Sequence, residues 1–183
     1  MRRFVVLLAL LSAAPAAALE VCDELWFTRN LIYDRAGYCF TSTLGQAVFD
    51  NTGCIGTDVE PDPALVETLA SVRDLEREWE CSIDTSRRAL AIPDLAARMR
   101  ILDIPVPDGY DSACIGWRGV EIALHTARDP GSPVTGVIRT GETIQWSFWP
   151  VDGWSFVQSP SGNGMGWMID PKMTEASCDS FAG

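Results

Sequence analysis

Six cysteines divide this 183-residue chain unevenly: Cys22, Cys39, Cys54 and Cys81 precede residue 82, while Cys114 and Cys178 bracket the C-terminal half. No two are spaced C-x-x-C, so neither a zinc knuckle nor a thioredoxin-type redox pair is indicated. An even count in an exported chain predicts disulfides. Four plus two predicts two modules, each closed by its own bridges, with no thiol left as a nucleophile. A single histidine, His125, and a single lysine, Lys172, narrow the chemistry further. They exclude a His-rich metal site and leave little room for lysine-dependent catalysis.

Export is read from the N-terminus. Arg2 and Arg3 precede the apolar run Phe4–Leu11, which is too short to span a bilayer, and Ala16-Ala17-Ala18 offers a small-residue cleavage site. Cleavage near Ala18 would release a periplasmic or secreted chain with no stable membrane insertion. Glu20 and Val21 ahead of Cys22 argue against lipidation. The formal charge is −11, and losing Arg2 and Arg3 makes it two units more negative. Such a field repels phosphate backbones and anionic lipid, which excludes nucleic acid as a partner and suits a basic one.

The order of patterns predicts an α+β fold: leader 1–18, Cys-rich helical module 19–82, linker with a short helix 83–113, and a small β-barrel module 114–183. Leu25, Trp26, Arg29, Ile32 and Tyr33 recur at helical spacing and Gly37 ends the run. Thr43-Leu44-Gly45-Gln46 fits a capping box for a second helix. Asp62-Pro63 opens a third, whose apolar face is Leu65, Leu69, Val72, Leu75 and Trp79. If these three helices run up, down and up, direction favours Cys22–Cys54 with Cys39–Cys81; the other two pairings of four cysteines stay open. Each such bridge is worth on the order of 3–4 kcal/mol in the chain-entropy model.

The stretch ELWFTRNLIYDRAGYCF, followed by LGQAVFDNTGC, resembles the YARHG-type module of exported bacterial proteins, and more closely a Cys-rich relative known only as a domain of unknown function. The matching positions are Trp26, Arg29, Asn30, Ile32, Tyr33, Arg35, Gly37, Tyr38 and Phe40. Asp34 and Ala36 depart from the namesake motif, so the family's histidine is missing. The resemblance implies a small extracytoplasmic helical domain and no catalytic residue. Arg29, Asn30 and Arg35 are read as structural, bound to backbone carbonyls or to Asp34 and Asp50. Arg87, Arg88, Arg98 and Arg100 form the one locally basic stretch, expected to meet the acidic N-terminal module.

Beyond residue 114 the period changes to two. Val120, Ile122 and Leu124 alternate with polar or small residues, and Thr143, Gln145 and Ser147 alternate with Ile144, Trp146 and Phe148. Gly136, Gly141, Asp152-Gly153-Trp154 and Gly166-Trp167 resemble the bacterial SH3-like (SH3b) barrel. That resemblance implies entry and exit lying close together, hence a Cys114–Cys178 clasp. It also implies that Trp154 and Trp167 serve the core. Trp149, out of step with Ile144, Trp146 and Phe148 and beside Pro150, is the candidate ligand-binding residue. Trp146, Trp154 and Asp129, with the 127–133 loop, complete the expected groove.

Catalytic constellations are missing from the sequence. Gly162 to Gly166 leads into a strand and lacks Lys-Ser/Thr, so it is no phosphate loop. Asp58, Glu60 and Asp62 begin like a calcium loop, but Pro63 and Leu69 break the pattern. No catalytic residue, metal ligand or cofactor is assigned. The expected function is a non-enzymatic exported module binding a cell-envelope component, wall peptide or glycan, through the groove at Trp149. The alternative is an acidic inhibitor or regulator of a basic extracytoplasmic enzyme.

Overall fold

The computed structural model describes residues 16–92 and 94–183. Residues 1–15 of the expected leader, and Pro93 of the expected short helix, lie outside the described residues. Helix α1 (Ala16–Arg35) is the centre of the helical part. From Val21 to Ile32 its side chains are buried on every side except at Glu24 and Arg29, which are half-buried. A helix enclosed in this way is core, unlike a surface helix with one apolar stripe. Helix α2 (Thr43–Phe49) is capped by Ser42, whose Oγ accepts from Gly45 N at 3.1 Å. The cap thus falls one residue before the expected Thr43. Gln46 donates to Phe40 O at 3.0 Å instead of closing a capping box. Asp62 caps a short 3-10 turn, Pro63–Leu65, that leads into α3 (Val66–Glu78).

The helices do not run up, down and up. Helices α1 and α3 are direct antiparallel partners, with Arg29 Nε 2.9 Å from Glu76 Oε1 and Arg73 reaching Tyr33 Oη. The start of α1 therefore meets the end of α3, and the disulfides are Cys22–Cys81 and Cys39–Cys54. This corrects the expected pairing. Helix α2 lies to one side, where Phe49 stacks with Phe27 and Phe40 at centroid distances of 5.9 and 4.7 Å.

The segment after Cys81 is no free linker. Ile92 and Ile104 enter the helical core, Ile101 enters the sheet core, and the one-turn helix α4 (Leu95–Arg98) lies between. Arg87 binds buried Asp23, and Arg98 binds Glu24, as the basic stretch predicts. Arg35 donates to the carbonyls of Ile101 and Leu102.

Residues 107–113, read as linker, belong to strand β1 (Pro107–Ile115). It is followed by β2 (Ile122–His125), β3 (Val134–Ile138), β4 (Ile144–Phe148), β5 (Trp154–Gln158), β6 (Met165–Ile169) and β7 (Ser180–Ala182). The antiparallel sheet has the order β3-β2-β6-β5-β4-β1-β7. It is open, with β3 and β7 as its edges, where a closed barrel was expected. The Cys114–Cys178 bridge brings β7 onto the outer side of β1, so β1 becomes an inner strand. One sheet core gathers Trp117, Leu124, Ile138, Ile144, Val157 and Met168 around that disulfide. A second, Phe148, Phe156, Met165 and Trp167, closes against Ile101 of the connector.

Candidate functional site

Trp149 follows β4 directly, and its backbone N–H donates to Val106 O at 3.0 Å, which fixes the chain while its side chain turns outward. It is 51% exposed, unusual for a tryptophan. Beside it runs a groove of about 340 Å³ with Trp146, Pro150, Met173 and Phe181 as apolar walls. Asp108, Asp170 and Lys172 supply charge along the same groove. Asp108 Oδ1 accepts from Tyr110 N, and Asp170 Oδ1 accepts from Lys172 N, at 2.9 and 2.8 Å, so both carboxylates are oriented by local turns. Burial raises the Asp108 carboxyl above its ordinary range, and the nearby charge of Asp111 adds to the effect.

Of the residues singled out from sequence, Trp146 and Trp149 share this groove. Trp154 and Asp129 are not among its walls. Trp154 is half-buried, sits edge-on to His125 at 6.4 Å, and lines a separate hollow with Asp103, Arg128 and Asp152. The 127–133 loop is tied down elsewhere. Arg128 N donates to Asp103 Oδ2 at 2.8 Å, its guanidinium lies 5.4 Å over the Trp167 ring, and Asp129 Oδ1 accepts from Gly131 N within the turn. Trp167 is buried and donates to Asp103 O.

Sequence reasoning missed Asp108, Asp170, Met173 and Phe181. The available signal was Cys178: once it reaches Cys114, residues 180–182 must run beside β1 and bring Phe181 to the groove. Among the described residues no group of three or more His, Cys, Asp or Glu is placed to hold a metal, and no helix is long and apolar enough to cross a membrane.

Three disulfides, with no free cysteine among the described residues, fit an extracellular protein, stapled covalently as chains in oxidising compartments are. The family is shown by comparison: the chain belongs to the family described as Domain of unknown function (DUF4453), whose model matches residues 80–183. The YARHG domain model matches residues 2–73, in agreement with the resemblance at Trp26 to Phe40. The DUF4453 match spans connector and sheet together. No curated protein and no solved structure matches the chain.

Proposed function

We propose that the protein is a non-enzymatic exported binding module whose Trp146–Trp149 groove takes a glycan segment of the cell envelope. The observation that carries this reading is an exposed tryptophan flanked by oriented carboxylates. The apolar face of a sugar ring stacks on an indole, while its hydroxyls donate to carboxylate oxygens. Trp149 and Phe181 are both exposed and line the same groove, and a contiguous apolar patch of this kind marks an interaction site where a lone exposed residue would not. In this proposal residues 1–18 are a cleaved leader. The short strands β2 to β6 form an SH3-like core that β1 and β7 hold open at one edge. Supporting that core is the Gly136–Gly164 approach, where a Cβ on Gly136 would lie 2.3 Å from Asn163 O.

Co-sedimentation with insoluble envelope glycan stripped of peptide tests the reading. The mature protein should be retained and Trp149→Ala should bind at least roughly tenfold more weakly, as expected for losing about 1.4 kcal/mol. Equal retention of the two overturns it. Retention only on peptide-bearing material assigns the groove to peptide instead, and retention that ignores Trp149 but collapses in salt supports the acidic-inhibitor reading.

A further inference from the structure

The sheet surface facing α1 carries an arrangement that packing alone does not explain. Gln145 and Ser147 on β4, and Gln158 on β5, line a cleft of about 270 Å³ with Glu24 of α1, Arg98 of α4 and Asp111 of β1. Gln145 and Gln158 are direct cross-strand partners, so their carboxamides stand side by side. Trp146, between the two cleft residues of β4, turns to the opposite face and to the groove already described.

A sheet surface set against a helix is ordinarily apolar. Here the side chains of Gln145, Ser147, Gln158 and Asp111 make no hydrogen bond to any described residue, although the first three are half-buried. Arg98 is only 5% exposed; its Nη1 donates to Glu24, its guanidinium lies 5.4 Å over the Phe148 ring, and its buried Nε–H has no partner. Of these groups the Arg98 Nε–H is both buried and unpartnered, while the two carboxamides, the Ser147 hydroxyl and the Asp111 carboxylate stay open to solvent and free to bind another molecule. The space is opened by an irregularity in β1 between Pro107 and Ser112. Such bulges re-aim side chains beside binding sites.

The lining selects its occupant. Glu24 takes Arg98 Nη1, which leaves the Asp111 carboxylate for a cation and the Arg98 donors not engaged by Glu24 for an anionic or carbonyl oxygen. The paired carboxamides match a peptide-like amide, donor and acceptor together. The volume lies just below the roughly 300–1,000 Å³ of ordinary ligand pockets, which limits the occupant to one or two amino acids. We propose that this cleft is a second ligand site, independent of the Trp149 groove, that binds an α-ammonium, α-carboxylate zwitterion: a free amino acid or a dipeptide.

The test follows the side-chain amide signals of Gln145 and Gln158 by NMR while the mature protein is titrated with alanine, alanyl-alanine or N-acetyl-alanine amide. Both zwitterions should move these signals, and the uncharged compound should not. Tighter binding of alanyl-alanine than alanine identifies peptide as the source; the reverse identifies the free amino acid. Asp111→Asn, at an exposed position, should melt like the wild type and bind both zwitterions roughly tenfold more weakly. No shift with either zwitterion, equal shifts with the uncharged compound, or unchanged affinity in Asp111→Asn overturns the proposal.

Discussion

Glu24 and Arg98 meet where α1, the connector and the sheet converge, with side chains 18% and 6% exposed. Neither charge is tolerable there without the other. Removing one partner of such a pair costs about 3–5 kcal/mol, so Arg98→Ala should lose a stability of that order in a denaturant titration. Glu24 also titrates informatively. Burial raises its carboxyl above the ordinary value, and Arg98 offsets that only in part. The folded protein therefore holds this proton more tightly than the unfolded chain. Stability relative to Glu24→Gln should fall as pH rises from the ordinary glutamate range through the Glu24 pKa, then level off. Melting both proteins across pH checks this, and a wild type that gains on the variant over that window contradicts it. The partners of Arg29, Asn30 and Arg35 were legible as a class but not individually. Asn30 bonds back to Trp26 O and Arg35 to connector carbonyls, while Asp34 and Asp50, nearby in sequence, are bypassed because the connector brings its carbonyls to the end of α1.

Among the elements, helix positions were readable because capping and apolar spacing are local properties. Their direction was not. Whether α1 packs on the next helix or the last one depends on long-range burial, and that choice decides which cysteines meet. The pairing found here has an energetic consequence. Cys22–Cys81 closes a sequence separation of 59 and Cys39–Cys54 one of 15. In the chain-entropy model, removing the first by paired Ser substitution should cost about 1 kcal/mol more than removing the second. Urea midpoints decide, and a reversed order would contradict it. Strand β7 was illegible because it is three exposed residues held in place by a disulfide. Gly109 lies in β1, within the 83–113 segment that the sequence pattern marks as linker. Its φ of +84° and the Trp79 ring 2.5 Å from a built Cβ show a contact joining β1 to the end of α3. Gly109→Ala should therefore lose about 1–3 kcal/mol, from left-handed strain and overpacking together. A melting temperature equal to the wild type would refute that contact's importance.

On the scale of the whole molecule, helical part, connector and sheet form one chain of contacts. Ile104 and Ile101 of the connector enter the two cores, and the carbonyl of Asp103 receives the Trp167 indole. The four-plus-two division of cysteines was legible, since no disulfide crosses between the parts. The connector's burial was not, because Pro105, Pro107 and Gly109 are what a linker also displays. The same holds for the two surfaces of β4. Alternation of Thr143, Gln145 and Ser147 with Ile144, Trp146 and Phe148 was plain in the sequence, but the polar row reads as solvent-facing until Gln145 and Ser147 are seen across a cleft from Val21 and Glu24 of α1. The central claim is that Trp149, and not Trp154, reports on ligand. Seven tryptophans give seven indole N–H signals, so titration of the mature protein with soluble envelope oligosaccharides reads every one of them. The account predicts shifts at Trp149 and Trp146, with buried Trp117 and Trp167 unmoved. Shifts confined to Trp154, or none at any tryptophan, would contradict it.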